Sequence, residues 1–168
     1  MAYWEEYPYN VVTHFPLSSD IISIMYTEDD IHKRLGLNKD PVELSISKWE
    51  RIFQVYNIIS GMKYPFAHYQ DIYPFIGHTT CALCIVSVRN YKQIFGSQKF
   101  REDKCYMCPF SNIERFIDKT STYTEIDRIL WNSFNYGDDL SRIDYYSDKH
   151  KTLGELITRF IDLLKQIR

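Results

Sequence analysis

Glycine is scarce in this chain, six residues in 168, so the tight turns that cradle nucleotide phosphates are poorly supplied. No glycine-rich phosphate loop, no His-Glu-x-x-His and no nucleophile elbow occurs in the sequence. A zinc deaminase would show His-x-Glu and a proline before Cys-x-x-Cys. Neither is present, and Pro109 follows its cysteine pair. Long hydrophobic runs are missing too. The longest, Cys81 to Val88, is interrupted by Ser87 and closed by Arg89, far short of the roughly 20 apolar residues of a membrane span. Met1 to Glu6 is acidic and aromatic, where an export signal needs a basic stretch and then an apolar one. These absences predict an intracellular, cytoplasmic chain whose thiols stay reduced.

Cysteine is limited to four residues, and all four fall into two matched pairs, Cys81-Ala82-Leu83-Cys84 and Cys105-Tyr106-Met107-Cys108. A two-residue gap lets one local turn aim both sulfurs at a single point, and four thiolates about 2.3 Å from the ion complete a tetrahedral Zn²⁺ shell. Twenty residues between the pairs match one zinc-site spacing. The expected cofactor is therefore a structural Zn²⁺ on Cys81, Cys84, Cys105 and Cys108, with no open position for substrate. An iron–sulfur cluster, dithiol redox chemistry at one pair, and disulfides remain as alternatives. His78, three residues before Cys81, reads as a surface histidine because four thiolates already satisfy the ion.

The formal charge of −2 is unevenly distributed. Residues 81–119 carry seven bases against four acids, a local +3. Four thiolates on one Zn²⁺ contribute −2, so the basic excess mainly offsets the metal site. Arg89, Lys92, Lys99, Arg101 and Lys104 are the phosphate contacts that a nucleic-acid-binding zinc module would use.

The periodicity predicts a mainly α protein: one compact helical domain over residues 1–168, an irregular N-terminal arm with a strand near Asn10 to Phe15, and an embedded zinc knuckle at about 78–119. Asp40, Pro41 and Glu43 open a helix that runs to Gly61 on an apolar face of Ile46, Trp49, Phe53, Tyr56 and Ile59. A shorter helix is expected from Asp29 to Leu35. Gly61 to Thr80 reads as a loop or broken segment, with Thr80 capping a helix that continues to Gly96. Gly96 to Lys104 reads as a loop. Ser111 with Glu114, Thr122 with Glu125 and Thr152 with Glu155 are capping boxes. The last of these leads the stripe Leu153, Leu156, Ile157, Phe160, Ile161, Leu164 and Ile167.

Aromatic residues make up 16% of the chain, and aromatics are strong interface anchors. Two clusters fall where loops are predicted. Tyr3, Trp4 and Tyr7 form one; Tyr64, Phe66, Tyr69 and Tyr73 form the other. They are the candidate partner-binding residues, and burial in the domain's own core is the competing role. Glu28-Asp29-Asp30 and Asp138-Asp139 are acidic groups at positions where caps and turns want acids. His14, His32, His68 and His150 are scattered without an evident partner, and no residue is assigned a catalytic role.

The two pairs, with Pro109-Phe110 after the second, resemble the CxLC…CxxCP zinc knuckle of small bacteriophage proteins across about residues 78–112. The resemblance implies a virus-encoded accessory protein acting in the host-cell cytoplasm. The expected function is protein binding, in its narrower form inhibition of a host defence or regulatory enzyme. A nucleic-acid-binding module and an enzyme with a structural zinc are the alternatives.

Overall fold

The computed structural model describes residues 16–96, 121–136 and 143–167. Its helices are α1 (Ser19–Ile22), α2 (Glu28–Gly36), α3 (Pro41–Ser60), α4 (Tyr69–Ile72), α5 (Ala82–Phe95), α6 (Thr122–Tyr136) and α7 (Ile143–Ile167). Among the described residues there is no strand, and the fold is mainly α. The N-terminal arm with its expected strand, the loop toward Lys104, the helix opened by Ser111, and the second cysteine pair lie outside the described residues.

Helix α3 is the spine. The Asp40 carboxylate accepts the Val42 N–H at 2.8 Å and Pro41 takes the first helical position, the position where a missing N–H costs nothing. Leu44, Trp49, Ile52, Val55, Tyr56 and Ile59 then line the buried face. Against this face pack α5 and α7; α6 packs on α7 and α4 on α6. At the centre, the Trp49 ring lies 4.6 Å from Phe160 of α7 and meets Tyr123 of α6 edge-on at 6.4 Å. A second, smaller core of Tyr26, Ile31, Leu44 and Ala82 joins α2, α3 and α5. Within it the Tyr26 ring has two guanidinium groups at cation–π distance, Arg34 at 4.5 Å and Arg51 at 4.4 Å from its centroid.

Several element starts differ from the sequence expectation, each for a local hydrogen-bonding reason. The shorter helix opens at Thr27, whose hydroxyl accepts the Asp30 N–H while the Asp30 carboxylate accepts the Thr27 N–H. The reciprocal bond to the Thr27 amide is the chief cause holding the Asp30 carboxyl below the ordinary carboxylate range. Ser121, not Thr122, caps α6 by accepting the Thr124 N–H at 3.1 Å. Thr152 lies inside α7, where its hydroxyl donates to the Asp148 carbonyl one turn back. A threonine with a helical carbonyl four residues behind it bonds backwards rather than capping. The segment expected to be loop or broken, 61–80, is built from short 3₁₀ turns, Pro65–His68, Tyr73–Phe75 and His78–Thr80, around α4.

Candidate metal centre

The chain enters α5 through Cys81. Its backbone is extended (φ −98°, ψ 105°), and its Sγ accepts the Cys84 N–H at 3.2 Å, so the thiol does the capping expected of Thr80. Thr80 instead donates its hydroxyl to the carbonyls of Phe75 and Gly77, closing the 3₁₀ turn that delivers Cys81. Both sulfurs therefore sit on the first turn of a fourteen-residue helix, where unsatisfied amides and the helix dipole favour negative charge. Cys81 is half-buried and Cys84 buried, and neither is in a disulfide. The Cys81 thiol is lowered to about 6. A side-chain hydrogen bond with Cys84 is the largest cause; the Lys48 charge and the Cys84 and Leu83 amides add to it, against the upward push of burial.

Beneath this turn lies Lys48 of α3, only 2% exposed. Its Nζ donates to the Gly77 carbonyl at 3.3 Å and lies 5.4 Å from the Trp49 ring centroid. Burial pushes the Lys48 ammonium down, and the thiolates of Cys81 and Cys84 push it back up. Lysine is almost never fully buried unless paired. Two thiolates from one turn, with a cation below, are half of a soft-metal shell. The other half, Cys105 and Cys108, lies outside the described residues, and among the described residues no group of three or more His, Cys, Asp or Glu side chains is gathered.

A second polar cluster joins α3, α4 and α7 around His150. Tyr56 donates its hydroxyl to the His150 carbonyl at 2.6 Å and stacks on the imidazole with centroids 4.4 Å apart. Ser60 Oγ lies 2.7 Å from Nε2, and Tyr69 Oη lies 2.6 Å from Nδ1. Because the Ser60 hydroxyl donates to the Tyr56 carbonyl, its oxygen is left to accept, which places a hydrogen on Nε2. Desolvation lowers His150 to about 4, so near neutral pH Nδ1 is bare and accepts from Tyr69. Burial holds the Tyr69 hydroxyl well above its usual value, so it stays a donor. The serine–histidine contact is thus oriented for structure: the serine proton points at a carbonyl, not at the imidazole that a nucleophile would need as its base.

The candidate partner-binding rings divide. Phe66 and Tyr69 are core residues at 3% and 0% exposure, while Tyr64 and Tyr73 are half-buried. Tyr3, Trp4 and Tyr7 lie outside the described residues. Tyr73 meets Trp131 of α6 with centroids 5.5 Å apart, and Trp131 is 45% exposed. Of the candidate phosphate contacts, Arg89 and Lys92 are exposed on α5, and Lys99, Arg101 and Lys104 lie outside the described residues. Within the first acidic group Asp30 is committed to the Thr27 cap, and Glu28 lies 3.7 Å from His32 one turn on. No described helix is long and apolar enough to cross a membrane.

Lys48 and His150 went unassigned in the sequence, yet both carry a legible signal. Lys48 stands four residues after Leu44 and four before Ile52, on the apolar face of α3. His150 stands seven residues before Ile157, so the α7 stripe extended back one heptad runs through it.

The chain matches no protein-family model, no curated protein and no solved structure.

Proposed function

We propose that this chain is a zinc-stabilised accessory protein that works by binding another protein in the cytoplasm. The zinc half of the reading is supported by Cys81 and Cys84, presented together on one helical turn over a buried cation, and by the matching spacing of Cys105 and Cys108. A four-thiolate ion has no vacant position, so its role is to fix where α5 and the following segment stand.

The binding half is carried by the Tyr73–Trp131 pair. A tryptophan left 45% exposed against a half-buried tyrosine is the kind of rigid, amphipathic surface that anchors interfaces. The narrower form, a virus-encoded inhibitor of a host defence or regulatory enzyme, rests on the bacteriophage resemblance of the cysteine segments.

The test is affinity capture from bacterial lysate with metal-loaded wild type and Trp131→Ala side by side, followed by titration of the purified partner. Interface anchors cost about 2 kcal/mol or more on truncation, so the variant should bind its partner at least about 30-fold more weakly while keeping its helicity. Equal retention by both proteins would remove this face from the reading.

A further inference from the structure

We propose that Lys48 is the built-in counter-cation of the metal-bound Cys81 and Cys84 thiolates, a positioning residue that holds the charge of the site from inside the protein. The inference rests on the zinc reading above and adds to it a residue from a distant helix.

Its support is the mismatch between the lysine's burial and its company. The side chain is 2% exposed, and taking an ammonium out of water costs several kcal/mol unless an anion answers it. Among the described residues no ion pair with a carboxylate reaches Lys48. An ammonium has three N–H donors; one goes to the Gly77 carbonyl at 3.3 Å. The Trp49 face adds an attraction for positive charge at 5.4 Å. The lysine is tied to the approach to the two sulfurs: Gly77, whose carbonyl it holds, directly precedes the 3₁₀ turn His78–Thr80, and Cys81 follows that turn, close enough for the charges of Cys81 and Cys84 to act on the ammonium.

Charge arithmetic points the same way. Neutral thiols, or a disulfide between Cys81 and Cys84, would leave the buried ammonium without an anion. Four thiolates around Zn²⁺ carry −2, and the Lys48 charge brings that sum to −1. The metal-bound form is the one in which the lysine is answered. Residues that hydrogen-bond or charge-match metal ligands typically account for 10- to 100-fold in metal affinity.

Two variants of the full-length chain separate charge from scaffolding. Lys48→Gln keeps a donor for the Gly77 carbonyl and loses the charge; Lys48→Met keeps the stem and loses both. With Zn²⁺ as the probe in competition with a chelator, both should bind about 10- to 100-fold more weakly than wild type. At equal zinc occupancy both should lose their cysteines to iodoacetamide faster, because the sulfur charge is no longer restrained. Substitution with Co²⁺ should shift the thiolate-to-metal charge-transfer band in both. Should either variant fail to fold, wild type decides: on loading with Cd²⁺ the Lys48 ¹⁵Nζ signal should shift and its hydrogens should exchange more slowly, because the ammonium is then held beside fixed thiolates.

Wild type that binds zinc, with Lys48→Gln matching it in affinity, alkylation rate and spectrum, would overturn this inference and leave the zinc reading standing. A Lys48 ¹⁵Nζ signal unmoved by Cd²⁺ loading would do the same. Wild type that takes up neither Zn²⁺ nor Co²⁺ would instead remove the zinc reading itself.

Discussion

Tyr69 and His150 are 81 positions apart in the chain and share one hydrogen, donated from the phenol to Nδ1 across 2.6 Å. The bond ties the short helix α4 to the long helix α7, and it exists only while Nδ1 is unprotonated. Protonation would set an N–H against the O–H of a tyrosine that is fully buried.

Stability should therefore depend on pH through His150. The folded state holds this histidine near 4, well under its ordinary value of 6.5, through desolvation. A group depressed on folding contributes its full stability above the unfolded value and loses it as pH falls toward the folded one. The urea midpoint should accordingly drop between about pH 6.5 and pH 4. His150→Leu should be less stable than wild type at pH 7 by about 1–3 kcal/mol, since it leaves the Tyr69 hydroxyl without its acceptor, and should show a shallower fall across that window. Parallel pH profiles for the two proteins would show that other groups govern the acid transition.

Gly154 of α7 lies against the Tyr56 ring so closely that an added Cβ would come within 2.6 Å of Cζ. Alanine is the better helix former by up to about 1 kcal/mol, so propensity alone predicts stabilisation. Overpacking by one methyl typically costs about 1–3 kcal/mol, and here relief would require Tyr56 to give up its 2.6 Å bond to the His150 carbonyl. Gly154→Ala should destabilise in thermal melts. The penalty should shrink or reverse in a Tyr56→Leu background, and an unchanged penalty there would locate the strain elsewhere.

Trp49 touches both other arms of the core, Phe160 at 4.6 Å and Tyr123 at 6.4 Å. Truncating a large buried aromatic costs about 3–5 kcal/mol through lost transfer energy and the cavity left behind. Trp49→Ala should therefore lower the denaturant midpoint far more than Trp131→Ala, whose ring is already 45% exposed. Comparable losses would mean that the surface tryptophan carries structural weight of its own.

The contrast between these two tryptophans shows what the sequence made legible. Helices with long apolar stripes, α3 and α7, were readable because burial repeats at three- and four-residue spacing over many turns. Starts were harder, since Thr80, Thr122 and Thr152 all look like caps in sequence, yet Thr80 and Thr152 donate to other carbonyls and Ser121 caps α6 in place of Thr122. The segment from Tyr64 to Phe75 was hardest: aromatic and proline-bearing, it reads as a loop or broken segment, yet its 3₁₀ turns and α4 bury Phe66 and Tyr69 in the main core. Short turns have no periodicity to distinguish a packed ring from an exposed one. At the candidate site the cysteine spacing was visible, whereas the lysine beneath it belongs to another helix and needed the fold to bring it there.

Metal content remains the decisive measurement for the site. Freshly purified, reduced protein should contain one zinc per chain, and a strong chelator should lower its melting temperature, because binding to the folded state alone stabilises by mass action. The informative comparison is between the pairs. Cys84→Ser removes a buried ligand at the start of α5; Cys105→Ser removes one from beyond the twenty intervening residues. If a single ion spans both turns, either change breaks the same tetrahedral shell, and the two variants should lose zinc and thermal stability to a similar extent. Each should also become insensitive to chelator. Zinc loss confined to Cys84→Ser would indicate a shell completed by ligands other than the second pair, and full zinc in both would show that the ion sits elsewhere.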